Sequence, residues 1–292
     1  MKHNSSSSSA SSSAASPSAS DYDDNLDSPE EDELILKSDF NSHSSFVSDI
    51  KWHPKESSQV ITKDPHYVTL WSIDNDSGDT KEISKIELAI NDEDENDYSF
   101  TGDWSGGGVS WSHCESDIAA VVSGSQIQIV DFRTNNCGIH ISNIHPGGAQ
   151  DVDMNPNKAH TVVTAGNDRT AKIWDLRKTT SPLCILSGHT HWTSCVRYNP
   201  VHDQLLLSGG TDQIVNIWRA ASVASTPWLG TQENNTNDDP PDINAKIIDQ
   251  HEDSVYAVAW NYKDPWTACS LSYDGRIVHN RVPSTEKYKI LL

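Results

Sequence analysis

The sequence lacks the features that would place the protein outside the cell or within a membrane. It has five cysteines in 292 residues, none in a C-x-x-C pair, and their odd number argues against a disulfide framework. It contains no stretch of about 18 apolar residues, and its Ser-rich N-terminus has no apolar signal region. We therefore expect a cytoplasmic protein that does not insert directly into a membrane.

Basic residues are also scarce. The chain has 21 Lys and Arg against 42 Asp and Glu, which gives a formal net charge of −21. Three segments, residues 21–39, 74–103 and 225–250, carry this imbalance, and the rest of the chain is close to neutral. Acidic runs of this kind are usually solvated tails or loops. Because no broad basic face is present, we expect no nucleic-acid partner.

The composition divides the chain into a tail and a body. Residues 1–33 are Ser-rich and then acidic, and they are predicted to be disordered because they can bury little apolar surface. Residues 34–292 form the predicted folded body. Within it, the acidic insertions 74–101 and 222–250 are predicted to be long loops.

The body contains an internal repeat. His189 precedes Tyr198 by nine residues, and Trp218 follows twenty residues later. The same spacing ends at Trp174, which lies 44 residues before Trp218 and within the string IWDLR. Such a period, with a closing Trp, is typical of WD repeats, which form four-stranded blades. The predicted fold class is an all-β WD-repeat β-propeller with five detectable repeats, at about 43–73, 102–133, 145–177, 188–220 and 251–282.

Two short apolar runs at the ends of the body are assigned to outer strands. Residues 34–36 are predicted to be a strand of a blade whose other strands are not in this sequence. Residues 287–292 are predicted to supply a last outer strand. Five blades are enough for a closed ring, because propellers contain from four to eight blades.

The repeats also share polar residues that resemble a catalytic triad. A His, a hydroxyl and an Asp can form a nucleophilic site, but an enzyme needs one site and this set recurs. We predict a buried hydrogen-bond relay that holds the turn between the second and third strands of each blade. The predicted relay residues are His145, Thr164, Asp168 and Trp174; His189, Ser208, Asp212 and Trp218; and His251, Ser270 and Asp274.

No other cluster of residues predicts a chemical site. His189 and His191 are close in sequence, but no Cys or carboxylate cluster lies at ligand spacing, so no metal site is expected. No catalytic residue and no cofactor is predicted, and the protein is not expected to be an enzyme. The last repeat is degenerate, because Asn280 stands at the position of the closing Trp.

The candidate binding residues come from propeller geometry. The loop before each first strand and the tight turn after each second strand form the narrow face of a propeller. Aromatic residues there either anchor a partner or pack under a neighbouring loop. The candidate protein-binding residues are Phe46, Gln150, Asn167, Trp192, Ser194, Thr211, Tyr256 and Tyr273.

The string IWDLR, residues 173–177, supports an alternative function. Some WD proteins dock on the adaptor of a cullin-RING ubiquitin ligase through a Trp-Asp-x-Arg box. In this reading Arg177 would make a charge-assisted contact with that adaptor, and the protein would be a substrate receptor of the ligase. The alternative interpretation is that IWDLR is only a common ending of the third strand of a blade.

Longer strings resemble a single family. DVDMNPNK, HTHWTSCVRYNPVHDQLLLSGGTD, HEDSVYAVAW, SLSYDGR and NRVPSTEKYKILL are similar to the EARP- and GARP-complex-interacting protein family, with a resemblance that covers residues 34–292. The resemblance implies a non-catalytic adaptor that binds multisubunit tethering complexes of the endosome and the trans-Golgi network. It also implies seven blades, so the five repeats would form an incomplete seven-bladed propeller.

The same resemblance implies where and how the protein acts. Its expected roles are endocytic recycling, endosome-to-Golgi retrograde transport and dense-core vesicle cargo sorting. We expect recruitment from the cytoplasm to the trans-Golgi network and endosomes, with the chain present as a monomer within a larger complex.

Overall fold

The computed structural model describes residues 43, 45–74, 77–89, 107–226 and 242–291. These residues form five antiparallel sheets and one helix. Sheet 1 contains β1 (Asp49–Trp52), β2 (Gln59–Lys63), β3 (Tyr67–Ile73) and β4 (Thr80–Glu87); sheet 2 contains β5 (Val109–Trp111), β6 (Ile118–Ser123), β7 (Gln126–Asp131) and β8 (Asn136–Ile141). Sheet 3 contains β9 (Ala149–Met154), β10 (Thr161–Gly166), β11 (Thr170–Asp175) and β12 (Cys184–Ser187). The predicted tail, residues 1–33, and the strand predicted at 34–36 lie outside the described residues.

The last two sheets and the helix complete the described chain. Sheet 4 contains β13 (Thr193–Tyr198), β14 (Leu205–Gly210), β15 (Val215–Ala220) and β16 (Asp242–Ile248); sheet 5 contains β17 (Val255–Trp260), β18 (Thr267–Ser272) and β19 (Ile277–Arg281). The helix α1 spans Ser284–Leu291. In every sheet each strand pairs with the next one along the chain.

The middle strands are apolar on both faces, which indicates a sheet packed between two neighbours. In β14, Leu206 packs toward sheet 3, whereas Leu205 and Leu207 pack toward sheet 5. All six residues of β14 and all six of β15 are buried. The alternation of side chains along a strand therefore supplies both interfaces of one sheet.

The sheets pack in chain order with their first strands innermost. The strand β9 contacts β5 and β13, and β13 contacts β17. Four hydrophobic clusters fill the four spaces between consecutive sheets. This is the arrangement expected for the blades of a propeller.

Carboxylates on the first strands tie neighbouring sheets together. One oxygen of Asp153 accepts a hydrogen bond from the Ser110 hydroxyl at 2.8 Å, and the other accepts one from the Tyr198 amide at 2.8 Å. Asp153 on sheet 3 thus joins sheets 2 and 4. Asp49 makes a similar link, because its Oδ2 accepts a hydrogen bond from the Val109 amide at 3.0 Å. These directional bonds fix the stagger of sheets that apolar packing alone would leave free to slide.

The prediction of long loops in the two acidic insertions is wrong for part of each. The insertion 74–101 contains β4, and the insertion 222–250 contains β16, which are the outer strands of sheets 1 and 4. Each pairs with a third strand on one side, and both are mostly exposed or half-buried. An edge strand can therefore be rich in charged residues and still be held by its backbone hydrogen bonds.

The prediction of an outer strand at residues 287–292 is also wrong, because residues 287–291 lie in α1. Glu286 on the first turn of the helix is buried and forms an ion pair with Arg219 of β15, with 3.1 Å between Oε2 and Nε. The Lys287 ammonium lies 5.0 Å from the centre of the Trp266 ring. Both contacts are with residues distant in sequence, so the helical conformation is stabilised by tertiary contacts with sheets 4 and 5.

Candidate interaction surface

The fourth repeat brings its predicted relay residues together. His189 Nδ1 lies 3.0 Å from Asp212 Oδ1, and His189 Nε2 lies 2.7 Å from Ser208 Oγ. Trp218 Nε1 donates a hydrogen bond to the same Ser208 oxygen at 2.8 Å. A neutral His189 protonated on Nδ1 satisfies every donor and acceptor: Trp218 donates to Ser208, which donates to His189, which donates to Asp212.

The third repeat has the same geometry, with an added cation. His145 lies 2.8 Å from Asp168 and 2.7 Å from Thr164, and Trp174 Nε1 donates to the Thr164 oxygen at 3.1 Å. Lys172 Nζ lies 2.6 Å from Asp168 Oδ2. Burial alone would raise the pKa of Asp168, but the hydrogen bonds from His145 and Lys172 outweigh it and hold the pKa below its usual value. Asp168 is therefore a charged anchor and not a proton donor.

A glycine at a fixed position allows the histidine to approach the end of the second strand. A Cβ on Gly166 would overlap the His145 ring, and a Cβ on Gly210 would overlap the His189 ring and Asp212. Both glycines lie 21 residues after their histidine. The close approach, and not a special backbone conformation, requires glycine at these two positions.

The fifth repeat is weaker, as its missing Trp suggests. His251 Nε2 lies 2.7 Å from Ser270 Oγ, but its Nδ1 is 3.4 Å from Asp274. Asn280 is buried at the position that the closing Trp holds in the other relays. Its Oδ1 accepts a hydrogen bond from Lys246 of sheet 4 at 3.1 Å. The substitution of Trp by Asn thus replaces an internal bond with one between sheets.

The sequence analysis missed a fourth relay in the first repeat. His43 lies 3.0 Å from Thr62 and 3.3 Å from Asp64, and Trp71 Nε1 donates to the Thr62 oxygen at 2.8 Å. The hydroxyl follows the histidine by 19 residues in all four relays, a signal that would have identified Thr62. Asp64 follows by 21 residues instead of 23, because it lies directly after the end of β2, and this hid it.

Burial shows that the relay is structural. The side chains of His145, His189 and His251 have no solvent exposure. Ser208 and Thr164 are also fully buried. A nucleophile needs contact with a substrate, whereas each of these hydroxyls contacts only the polar partners of its own sheet. The relay therefore ties each turn to the loop that precedes its sheet.

The relay turns and the starts of the first strands lie at the same end of their sheets. Ala149 at the start of β9 pairs with Gly166, just before the Asp168 turn, and Val255 at the start of β17 pairs with Ser272. In the third repeat the two predicted binding residues contact each other, because Gln150 Nε2 donates to Asn167 Oδ1 at 2.8 Å. We call this end of the sheets the relay rim.

Two pairs of aromatic rings lie on the relay rim. The rings of Tyr256 and Tyr273 are 4.7 Å apart, and both side chains are exposed. On the neighbouring sheet the rings of His191 and Trp192 are 5.0 Å apart. Thr211 joins the two pairs, because its carbonyl accepts a hydrogen bond from Ser254 Oγ at 3.4 Å, and the Tyr273 amide donates to the Ser254 carbonyl at 3.1 Å.

Three further predicted binding residues have different surroundings. The Ser194 hydroxyl bonds to the carbonyls of Gly209 and Val255 and so serves the joint between sheets 4 and 5. The Thr211 hydroxyl contacts the Trp192 carbonyl at 3.3 Å. Phe46 is exposed in the segment that leads into β1. The polar members of the predicted set therefore hold the rim in shape, and its aromatic members face solvent.

Arg177 lies at the opposite end of sheet 3 from the relay rim, because it follows the end of β11. Its Nε and NH2 groups lie 2.9 and 2.8 Å from the two oxygens of Asp175. Arg133 makes the same paired contact with Asp131 in sheet 2. The bond to Arg177 lowers the pKa of Asp175 to about 2. The guanidinium is exposed, but two of its donor groups are already paired with the Asp175 carboxylate at the end of β11.

The described ranges contain no group of three His, Cys, Asp or Glu side chains placed to hold a metal ion. The single helix in that part of the chain, α1, is too short to cross a membrane.

Sheets of three or four strands packed through their first strands, with a His–hydroxyl–Trp relay in the first, third and fourth repeats, define a WD-repeat β-propeller protein. Comparison with known families agrees, because the chain matches the model described as EIPR1 beta-propeller over residues 91–218 and the model described as WD domain, G-beta repeat, over residues 244–279. The chain belongs to the family of EARP and GARP complex-interacting proteins. The predicted fold class and the predicted family are both confirmed.

Individual relatives are similar over most of the chain. It is 33% identical over 252 residues to EARP-interacting protein 1 of Caenorhabditis elegans, which covers 84% of this chain and 67% of the relative. It is 32% identical over 285 residues to EARP and GARP complex-interacting protein 1 of Homo sapiens, covering 92% and 71%. It is also 32% identical over 246 residues to WD repeat-containing protein DWA2 of Arabidopsis thaliana, covering 82% and 64%.

Proposed function

We propose that the protein is a non-catalytic adaptor that binds EARP and GARP tethering complexes through the relay rim of sheets 4 and 5. It acts in the cytoplasm and is recruited to the trans-Golgi network and endosomes. Its cellular roles are endocytic recycling, endosome-to-Golgi retrograde transport and dense-core vesicle cargo sorting. The names of its relatives support the partner, since they describe proteins that interact with these complexes.

The observation that carries the proposed site is the exposed Tyr256–Tyr273 pair. Aromatic side chains supply large contact areas at little entropic cost and are enriched among residues that dominate binding energy. Here Tyr273 stands on a turn that Asp274 fixes by accepting hydrogen bonds from the Glu252 and Arg276 amides, at 2.8 and 2.7 Å, and Tyr256 lies near the start of β17. The two rings are therefore already ordered before a partner binds, so that binding itself orders little of this surface.

Catalysis is not part of this proposal, because the residues that resemble a triad are enclosed. The hydroxyls of Thr164 and Ser208 are fully buried and each is fixed between a His and a Trp. Moving either hydroxyl toward a substrate would break two buried hydrogen bonds.

The test is binding of purified EARP and GARP subunits to the full chain and to two variants, Tyr273→Ala and Tyr256→Ala. We expect each substitution to weaken binding by about tenfold or more, as for a central aromatic anchor. Tyr262→Ala is the matched control. Tyr262 is 84% exposed and Tyr273 is 72% exposed, but Tyr262 lies in the loop between β17 and β18, at the other end of sheet 5.

The variants separate the proposed surface from the proposed partner. If the wild-type chain binds neither complex, the adaptor function is wrong. If it binds and Tyr262→Ala weakens binding as much as Tyr273→Ala, then the relay rim is not the contact surface.

A further inference from the structure

The tyrosine pair on the relay rim has a surface that can attract a cation. The rings of Tyr256 and Tyr273 are 4.7 Å apart, with 40° between their planes, and both side chains are exposed. The face of an aromatic ring is partly negative, so it attracts positive charge as well as apolar groups. Elsewhere in the chain the Lys85 ammonium lies 4.5 Å from the centre of the Tyr67 ring. Among the described residues no Lys or Arg covers the rings of the pair.

The loops that carry the pair are more acidic than the same loops of the neighbouring sheets. In each repeat we compare the four residues that begin with the relay His and the four that begin one residue before the relay Asp. In sheet 5 these contain three carboxylates and one guanidinium, a formal charge of −2. In sheet 3 one carboxylate and one guanidinium give 0, and in sheet 4 one carboxylate gives −1. Negative charge on the relay rim is therefore greatest beside the tyrosine pair.

One carboxylate in these loops is exposed and has no cationic partner. Glu252 forms an ion pair with Arg276 at 2.8 Å, so these two charges compensate each other. Asp253 is exposed, and among the described residues its carboxylate accepts a hydrogen bond only from the Ser254 amide, at 2.6 Å. The Ser254 carbonyl in turn accepts one from the Tyr273 amide at 3.1 Å. Ser254 therefore holds the Asp253 carboxylate beside the pair.

The relay rim remains accessible on a sheet that has neighbours on both sides. Sheets 3 and 4 are each packed on both faces. Even so, Arg169 and Gln213, which follow the relay Asp of these sheets, are exposed, and Asn167 and Thr211, at the position of Tyr273, are only half-buried. A further sheet packed on the face of sheet 5 would therefore leave this end accessible. The tyrosine pair is a surface in either case.

Arginine is the side chain that fits both features of this surface. Its planar guanidinium stacks on an aromatic ring and still has N–H groups directed outward to a carboxylate, whereas the lysine ammonium is a compact and strongly hydrated charge. We propose that Tyr256, Tyr273 and Asp253 bind an arginine side chain of the partner protein, which stacks on the rings and pairs with the carboxylate. This inference rests on the proposed adaptor function for the identity of the partner.

The first test uses small probes and needs no tethering complex. The full chain, with carbon-13 in its tyrosine rings, is titrated with N-acetyl-arginine amide and with N-acetyl-citrulline amide at constant ionic strength. Citrulline has the planar shape of arginine without its charge. Because a single contact of this kind is weak, each titration extends to about 50 mM. We expect the arginine probe to shift the ring signals of Tyr256 and Tyr273, and the citrulline probe to shift them much less.

Tyr262 is the internal control, because it is 84% exposed at the other end of sheet 5. Its ring signal should not follow that of Tyr273. Equal shifts with the two probes would show that charge plays no part. A Tyr262 shift as large as that of Tyr273 would show that arginine contacts any exposed ring. Either result, or no shift of the pair at about 50 mM, overturns the proposal.

The second test measures binding of purified EARP and GARP subunits to variants of the full chain. Tyr273→Phe keeps the ring face and Tyr273→Leu keeps only apolar area, so we expect the Phe variant to bind at least about threefold more tightly. Asp253→Asn keeps the oxygen that accepts the Ser254 amide, and it should weaken binding and make binding less sensitive to salt. Glu56→Gln removes an exposed carboxylate between β1 and β2, at the opposite end of sheet 1, and should bind as the wild type does.

The two tests separate this inference from the proposed function. If the wild-type chain binds neither complex, the adaptor function is wrong, and the probe titration still shows whether the pair binds arginine. If the complexes bind Tyr273→Leu as tightly as Tyr273→Phe, the contact is only apolar and the arginine inference is wrong, although the adaptor function stands. Equal losses in Asp253→Asn and Glu56→Gln would contradict a local pairing with Asp253.

Discussion

Arg219 and Glu286 form an ion pair in the interior of the protein, with 3.1 Å between the guanidinium Nε and the carboxylate Oε2. Arg219 is fully buried on the last part of β15, and Glu286 is buried on α1. Two charges removed from water are tolerated only when each compensates the other. The pair therefore fixes the C-terminal helix to sheet 4.

Removing one partner of this pair should destabilise the protein. In Glu286→Ala the Arg219 charge stays buried without its carboxylate, and we expect the free energy of unfolding to fall by about 3–5 kcal/mol. Urea denaturation measures the change. The control is Glu252→Ala, which removes a carboxylate from an exposed pair with Arg276 and should cost at most about 1 kcal/mol. Equal effects of the two substitutions would show that the buried pair does not hold the helix.

The relay should behave as a structural network. Ser208→Ala leaves Trp218 Nε1 without an acceptor and His189 Nε2 without the Ser208 donor, and we expect a loss of about 1–3 kcal/mol in the free energy of unfolding. Asp212→Ala should have a comparable cost. Thermal or urea unfolding checks both, with Ser187→Ala on the exposed β12 as the control. If Ser208→Ala were as stable as the wild type, the structural role of the relay would be contradicted.

The buried histidine of the third repeat should make stability depend on pH. Burial lowers the pKa of His145, and Asp168 opposes this only in part. Below the ordinary value of about 6.5 the unfolded chain takes up a proton that the folded chain resists, so stability falls as the pH falls. The contribution of one group cannot exceed about 1.4 kcal/mol per pH unit.

Urea unfolding at several pH values between 8 and 5 measures this dependence. His145→Gln should lower stability at every pH, because the relay is lost, and should also make the decline from pH 7 to pH 5 shallower than in the wild type. Parallel curves for the two proteins would show that protonation of His145 does not contribute.

Arg177 provides a test of the alternative function. Because its side chain is exposed and pairs only with Asp175 on its own sheet, Arg177→Ala should leave the melting temperature nearly unchanged. It lies at the opposite end of sheet 3 from the relay rim, so binding to tethering complexes should also be unaffected. Recovery of a cullin-RING ligase adaptor that is lost in Arg177→Ala would instead support the substrate-receptor function.

The difference between predicted and observed relays has a physical origin. The residues of the third and fourth relays follow from spacing, because two strands of constant length and one tight turn place a histidine, a hydroxyl and an aspartate at fixed offsets. In the first repeat the hydroxyl of Thr62 keeps its offset, since the strand carries it. Asp64 does not, because it lies directly after the end of β2.

The sequence by itself determined the repeats, their order along the chain and most of the relay residues, since these depend on the period of the repeat. It could not show that β4 and β16 lie within acidic segments, because edge strands are held by backbone hydrogen bonds that leave little pattern in side chains. Only the tertiary structure decided that residues 284–291 form a helix, through the distant contact of Glu286 with Arg219. The exposure of Ile277 was likewise decided there, because its position in the repeat is the same as that of the buried Val215, and only the neighbouring sheet differs.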